Sequence, residues 1–389
     1  MFEFSDEENA FRAEVRAFIE ANVPARVRDT LRMGGVPSKQ DTVEWTRKLH
    51  SRGWATPSWP VEWGGPGWTL AQRIIFQEEV ASAPAPEPQV FNVGMLGPVV
   101  GAFGSAEQKR DLLPRIARLD LWFCQGFSEP GAGSDLASLK TRAVRDGEHY
   151  VINGQKIWTS YAGYADWMFA LVRTDPGGIK QSGISFLLID LRSPGVSIRP
   201  IESIDANQHH LHEVFLEDVR VPASNLVGKE GEGWTYAKYL LGHERTGMTR
   251  VVNSRKRLAW ARARAAEIMV RGRPLSEDPL FRRRIAELEA ELIALQVTQY
   301  RSVFGSEGEG TQRAAFASIL KLRGSELTQA TTELLADVAG PRSLVLKDQD
   351  DGDWRSIAGA ARLTARGASI YGGTSEIQKS ILAKGILGL

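Results

Sequence analysis

The chain has little that would mark it for export or for a membrane. Its 389 residues include one cysteine, Cys124, so no intramolecular disulfide framework can form and a reducing compartment fits. Nowhere do about 18 uninterrupted apolar residues occur, the length a spanning helix needs. The opening residues are acidic and amphipathic, with no basic stretch followed by an apolar run, which argues against a secretory signal. Charge of one sign is lacking too. The 48 Lys and Arg residues against 47 Asp and Glu leave a net charge of +1, no global field for nucleic acid or an anionic membrane surface. The expectation is a cytoplasmic protein with neither nucleic acid nor membrane as a partner.

Several cofactor signatures are missing as well. Gly131-Ala-Gly133 and Gly231-Glu-Gly233 lack the third glycine of a dinucleotide turn, and no GxxxxGK[ST] phosphate loop occurs. His209, His210 and His212 look like metal ligands. In an extended segment, however, only His210 and His212 share a face, and no cysteine or carboxylate has matching spacing. Asp348, Asp350, Asp351 and Asp353 place glycine where a calcium loop needs a ligand, so a solvated acidic loop and no metal is expected. Arg255, Lys256, Arg257, Arg262, Arg264 and the run from Arg282 to Arg284 cluster in two helical segments. They are expected on solvated faces or at subunit or phosphate contacts.

What is present divides the chain into three. Residues 1–120 read as helices: Ser5 and Glu8 have capping-box spacing, Phe11, Val15, Phe18 and Ile19 share a helical face, and Ser105 to Gln108 repeats the capping pattern. Across residues 121–230 the period becomes that of strands. An Asn153-Gly154 hairpin turn is expected there, followed by strand-like runs at 168–173, 184–190, 196–201 and 214–221. Residues 231–389 return to helical spacing, with Ile285, Leu288, Leu292 and Leu295 stepping as in a bundle and a loop at 305–310. The fold class is α+β, mostly α, with a compact β domain between two helical ones.

Two segments carry chemistry. In Phe127-Ser-Glu-Pro-Gly-Ala-Gly-Ser134-Asp135, proline and two glycines expose backbone N–H groups while Ser128 and Ser134 add hydroxyls, a cradle for phosphate or flavin edge atoms. By composition alone it could equally be a turn before the β domain. Trp158-Thr159-Ser160 sets an indole beside two hydroxyls, suited either to a planar cofactor or to capping a core.

Gln125-Gly-Phe-Ser-Glu-Pro-Gly-Ala-Gly-Ser-Asp135, Asn153-Gly-Gln-Lys-Ile-Trp-Thr-Ser160 and Ile370-Tyr-Gly-Gly-Thr-Ser-Glu-Ile-Gln378 resemble the signatures of the acyl-CoA dehydrogenase family, in its order and spacing. Gly104-Ser-Ala-Glu-Gln-Lys109 with Leu112-Leu-Pro114 adds a fourth match, and the similarity covers essentially the whole chain. Phrases such as Gly242-His-Glu-Arg-Thr-Gly247 resemble the pimeloyl-CoA dehydrogenase large-subunit type. The resemblance implies an acyl-CoA dehydrogenase fold, with an N-terminal helical domain, a middle β-barrel-like domain and a C-terminal four-helix bundle. It implies FAD as cofactor, a tetramer, and a place in the breakdown of fatty or dicarboxylic acids. Carried over by position, Gln125, Phe127 and Ser128 contact the flavin ring, with Trp158, Thr159 and Ser160 on its other side. Gly133 and Ser134 lie near pyrophosphate or the CoA arm, and Thr374 and Glu376 reach the nucleotide.

The family's usual base follows the tyrosine of the C-terminal motif. Here that position is Gly372, which cannot take a proton. A second family solution places the base in a Glu-Arg pair on a bundle helix, matched by Glu244-Arg245. Ala237, Leu241, Glu244, Met248 and Val251 follow helical steps, so Glu244 shares an apolar stripe where lost hydration raises a carboxyl's pKa. Gly372 is left to polarise the thioester carbonyl through its N–H, and His243, Arg245 and Tyr371 to line the substrate channel. Members usually lend a neighbouring subunit an Arg-x-x-Phe-Gly and a Gln-x-x-Gly-Gly stretch. The corresponding Arg271-Gly-Arg-Pro-Leu275 and Ala336-Asp-Val-Ala-Gly340 lack the Phe-Gly and the Gln. Either a homotetramer or an α2β2 assembly with a homologous subunit that completes the FAD site is expected. Electron-transfer flavoprotein is the implied acceptor, and an oxidase or monooxygenase on the same fold is the alternative activity.

Overall fold

The computed structural model describes residues 3–32, 36–177, 179–205, 210–244, 250–304, 311–345 and 353–389; of residues 32, 242–244, 303 and 311–314 it describes the backbone alone. Six helices come first: α1 (Asp6–Asn22), α2 (Ala25–Arg32), α3 (Lys39–Ser51), α4 (Leu70–Ser82), α5 (Gly97–Phe103) and α6 (Ala106–Arg118). Ser5, Ser38, Thr69 and Ser105 each open a helix with a reciprocal bond to the residue three positions on, so the capping boxes at Ser5 and Ser105 form as expected. Val15 and Ile19 are buried with Trp45, Leu49, Trp54, Trp68 and Phe76 in an aromatic-rich core.

The middle of the chain is a curled seven-stranded sheet made of β1 (Phe123–Gly126), β2 (Arg142–Asp146), β3 (His149–Ser160), β4 (Trp167–Arg173), β5 (Ile184–Asp190), β6 (Val196–Pro200) and β7 (Leu211–Pro222). β4 pairs with β1 in parallel and with β5 antiparallel, and touches β2 at Arg173, which forces the curl. One core, containing Phe127, Phe169 and Phe186, meets the N-terminal helices; a second, containing Tyr150, Met168 and Val214, fills the other side.

The Asn153-Gly154 hairpin does not form. Both residues lie inside the continuous β3, at a register shift against β7 between Ile152 and Gly154. Asn153 exchanges side-chain bonds with Asp218 (2.9 and 3.0 Å) instead of turning the chain. The glycine is needed for close approach, since a Cβ there would meet Thr141 Oγ1 at 2.5 Å. The turn that joins β2 to β3 is at Gly147, φ +57°.

After the sheet come α7 (Gly233–Glu244), α8 (Val251–Glu267), the short hairpin β8 (Met269–Val270) and β9 (Arg273–Pro274), then α9 (Pro279–Phe304), α10 (Thr311–Ala339), α11 (Trp354–Thr364) and α12 (Ser375–Leu382). α10 packs on α8, α9 and α11 to make the four-helix bundle, with Ile285, Leu288, Leu292 and Leu295 inside it as their spacing predicts. Among the described residues no helix is long and apolar enough to cross a membrane, and no three metal-ligating side chains converge. The expected loop at 305–310, His209 and Asp348, Asp350 and Asp351 lie outside the described residues; Asp353 caps α11.

Candidate functional site

The end of β3 breaks the regularity of the sheet. Its register against β7 shifts between Lys156 and Thr159, and Trp158 takes a left-handed backbone, φ +59°. Such a conformation in a bulky residue is rare, and a bulge re-aims a side chain. Here it turns the indole outward, 56% exposed between half-buried Ile157 and buried Thr159. Thr159, next along, is buried, and among the described residues its Oγ1 has no hydrogen-bond partner. Ser160 is half-buried. Tyr161, also left-handed, donates its N–H to the carbonyl of His210 at 2.8 Å and sets its ring 5.0 Å from the imidazole.

The Gln125–Ser134 loop is fastened to this bulge. Ile157 N–H donates to the Ser128 carbonyl at 3.0 Å, and Glu129 and Ala132 close a tight turn on each other. A fully buried Lys156 spends its three donors on Glu129 Oε1 (2.7 Å) and on the carbonyls of Leu171 (2.7 Å) and Phe127 (3.3 Å). Glu129 in turn accepts the N–H groups of Lys140 (2.6 Å) and Thr141 (2.9 Å). Burial alone would raise the Glu129 carboxyl; the Lys156 ammonium and these bonds outweigh it and hold the group below the ordinary carboxylate range. The ring of Phe127 is committed to the core, edge-on to Phe169 and Phe186, so only its backbone is left for a ligand. Gln125 is half-buried on β1, while Gly133 and Ser134 are exposed. Around Gly131 and Gly133 a Cβ would meet nothing within 4 Å, and a cleft of about 270 Å³ opens between the loop and β3, lined by Gly131, Lys140 and Gln155.

The C-terminal motif forms a second wall. Gly372 and Gly373 are both left-handed (φ +65° and +86°), and buried Gln378 donates to their carbonyls at 3.2 and 3.4 Å. The residue that follows Tyr371 is Gly372, so no carboxylate stands next to it in the chain. Thr374 caps α12, accepting from Ile377 N–H at 3.3 Å. Glu376 is exposed, and its carboxyl is lowered by bonds from its own backbone N–H and the Thr374 side chain. The side chains of Glu244 and His243, and Arg245 altogether, lie outside the described residues, as does the stretch that would carry the apolar stripe on to Val251.

Arg250 joins the two walls. Its guanidinium sits 5.4 Å from the centre of the Tyr371 ring, and its charge also acts on Tyr161 and His210. With Tyr371, Gly324, Ser325, Thr328 and Lys321 it lines a small recess of about 10 Å³, room for a single water. Arg257, one of the basic cluster expected on solvated faces or at subunit or phosphate contacts, is half-buried, and among the described residues its Nη1 has neither solvent access nor a partner. Burial, and then Arg250, push this guanidinium down to about 10. α8 turns inward here because Val251, Ser254, Leu258 and Ala261 face the bundle core, which carries Arg257 to the edge of that face. Sequence reasoning missed Arg250, Arg257 and Lys321. A signal existed on α10, where Ser318, Lys321, Ser325, Thr328 and Thr332 recur at helical spacing and are all buried, a polar stripe where an apolar one is usual.

Comparison with known proteins agrees with this geometry. Family models described as the acyl-CoA dehydrogenase N-terminal, middle and C-terminal domains match residues 5–120, 124–219 and 231–387. Acyl-CoA dehydrogenase IpdE1 of Mycobacterium tuberculosis is 36% identical, over 97% of this chain and 97% of its own. The ChsE4-ChsE5 complex from Mycobacterium tuberculosis superimposes with a TM-score of 0.86 at 32% identity, covering 100% of this chain and 99% of that one. A steroid ACAD, Tcur3481-Tcur3483, follows at 0.84 and 31%, covering 100% and 98%. FAD is the family's cofactor, and the site fits it: an outward indole, a buried hydroxyl in need of a partner and an open glycine cradle stand side by side. The chain belongs to the acyl-CoA dehydrogenase family, flavoprotein oxidoreductases that act on acyl-CoA.

Proposed function

We propose that the protein desaturates an acyl-CoA thioester between its α and β carbons, with Glu244 as the base that takes the α-proton. The observation that carries this is the backbone at Gly372 and Gly373. Two successive left-handed glycines, pinned by Gln378, leave no side chain there to accept a proton. The pair Glu244-Arg245 at the end of α7 is what the chain offers in its place. The Gly372 N–H polarises the thioester carbonyl and favours enolate-like charge as the proton leaves. Trp158 and the Ser128 loop orient the ring system, and Gln125, Thr159 and Ser160 offer polar groups to its edge. Ser134 with the Gly133 backbone receives phosphate, Thr374 and Glu376 reach the nucleotide, and His243, Arg245 and Tyr371 line the channel. FAD, when bound, would supply the acceptor for the β-hydride, and electron-transfer flavoprotein would take the electrons onward.

We infer also that this chain works with a homologous subunit. Ala336, where the family's neighbour-directed glutamine would stand, is buried inside α10, and the 271–275 stretch is a tight hairpin with exposed arginines but no Phe-Gly. The chain therefore has little to lend a neighbour's cofactor, and two structural relatives bear the names of paired chains. Flavin content per polypeptide tests this: substoichiometric flavin in the chain purified alone, restored by a co-expressed homologue, is expected. One flavin per chain alone would sink the pairing. For the chemistry, Glu244→Gln should slow flavin bleaching by acyl-CoA about 10²–10⁴-fold with flavin content kept. Bleaching at the wild-type rate would remove Glu244 from the mechanism.

A further inference from the structure

We propose that Asn92 is a positioning residue: its buried amide sets the strand that leads into the cofactor loop against the helix that ends in the base. The proposal rests on the dehydrogenase reading for Glu244 at the end of α7, and on the core between α7 and β1 for everything else. Between α4 and α5 the chain makes a π-helical turn, Val90–Leu96, in which Gly97 N–H donates to the Asn92 carbonyl five residues back. Such a turn is rare and is found mostly at functional sites. Groups on either side of it take up the bonds that the wider turn leaves over. Gln89 Oε1 accepts the N–H groups of Phe91 and Asn92 at 2.6 and 3.2 Å, and the Trp59 indole donates to the Val93 carbonyl at 2.8 Å.

The side chain this turn aims is that of Asn92, which is fully buried. Its Nδ2 donates to the Leu121 carbonyl at 2.6 Å, and its Oδ1 accepts the Phe123 N–H at 2.9 Å. β1 stands at the edge of the sheet with β4 on one side. On its open side the Asn92 amide takes the place of a further strand's peptide group. Among the described residues these two are the hydrogen bonds that join the turn to the start of β1. The turn also packs on α7, and its Val93 and Leu96 share one core with Phe123, Phe127, Tyr236 and Leu240. An apolar side chain would fill that core without the desolvation cost of a buried amide, so the amide is there for its bonds. What they provide is register. β1 runs into the Phe127–Ser134 loop, and α7 ends at Glu244. The α-proton and the β-hydride leave adjacent carbons for different acceptors, so strand and helix must hold their spacing to within about 0.5 Å. Apolar surfaces alone allow such a slip, whereas two bonds to fixed backbone atoms resist it.

The test uses the flavin-loaded enzyme, with its partner subunit where it has one. Asn92→Leu keeps the volume and removes both bonds, and Asn92→Ser keeps one hydroxyl. Rapid mixing with octanoyl-CoA or cyclohexanecarbonyl-CoA, whichever bleaches the wild type faster, gives the limiting rate per bound flavin and the apparent Kd together. Acetoacetyl-CoA supplies a readout without turnover, because an enolate stacked on oxidised flavin gives a long-wavelength charge-transfer band that depends on their spacing. In Asn92→Leu the limiting rate should fall about 10–100-fold, the scale of a misplacement near 1 Å, with Kd within about twofold of wild type. The band should weaken and shift in step, and Asn92→Ser should lie between. A residue that merely holds the fold would lower flavin content and leave both the rate per bound flavin and the band unchanged; that outcome overturns the proposal. So does a loss carried by Kd alone. Should Asn92→Leu not fold, Asn92→Ser decides by the same two readouts. Failure of the dehydrogenase reading looks different: neither thioester bleaches the wild-type flavin, while the acetoacetyl-CoA band still separates wild type from variants. A wild type with neither bleaching nor the band loses both.

Discussion

The bulged end of β3 and the facing surface of α8 and α10 keep polar groups from water by different means. On the sheet side the buried ions are matched within the protein: Lys156 and Glu129 satisfy each other and four backbone groups around them. What remains unpartnered there is neutral, among it the hydroxyls of Thr141 and of Thr159 beside the turned-out Trp158. On the bundle side the unmatched groups include, beside the hydroxyls of Ser254, Ser318 and Thr328, a cation, Arg257, with a second, Arg250, spread over Tyr371. A rigid, internally neutral wall suits a cofactor held through every turnover, and a wall with charge to spare suits a ligand that arrives and leaves. The two walls should therefore respond differently when a group is removed.

The largest effect belongs to the sheet. Lys156→Met strands the Glu129 carboxylate and frees three carbonyl or carboxylate acceptors, and removal of one partner from a buried pair costs about 3–5 kcal/mol. Urea unfolding of the middle of the chain should register it. A loss below ~1 kcal/mol would mean that the pair is not what fixes the Ser128 loop. The pair also shapes the acid limb. Glu129 has a folded pKa below its unfolded value near 4.5, so its contribution is fully present above that pH and is lost as pH falls through the folded value. Glu129→Gln should flatten that limb. By comparison Arg257→Gln, which removes an unmatched charge, should leave stability unchanged or raise it.

This contrast also explains what could be read from the residues alone. The helix starts at Ser5 and Ser105, the strand at 184–190 and the Phe127–Ser134 loop are set by neighbours a few positions away, and their spacing announces them. Asn153-Gly154 misled because the same dipeptide that favours a hairpin turn also suits a bulge. What decides between them is Thr141 and Asp218, remote in sequence, pressing on the glycine and bonding the asparagine. Arg257 was misread for a related reason. Five basic residues along one helix look solvated as a group, and only the angle at which α8 meets the bundle separates Arg257 from exposed Arg255 and Lys256. Gly372 was legible because what mattered there was the lack of a side chain.

The smallest effect is also the sharpest on the sheet side. Thr159→Val removes a hydroxyl that has no partner among the described residues and keeps the shape of the side chain. If that hydroxyl exists for the cofactor, the variant without flavin should be as stable as the wild type or slightly more so, because an unsatisfied buried group has gone. Its affinity for flavin should fall about tenfold, the worth of one hydrogen bond near 1.4 kcal/mol. Titration of the flavin-free protein, followed by fluorescence, measures the second quantity and thermal melting of the same sample the first. Movement of the two in opposite directions is a signature that a purely structural threonine cannot give: losing a packing contact lowers both together. Equal loss in both would place Thr159 among the residues that hold the sheet, and would leave the indole of Trp158 and the glycine cradle as the cofactor-facing groups of this wall.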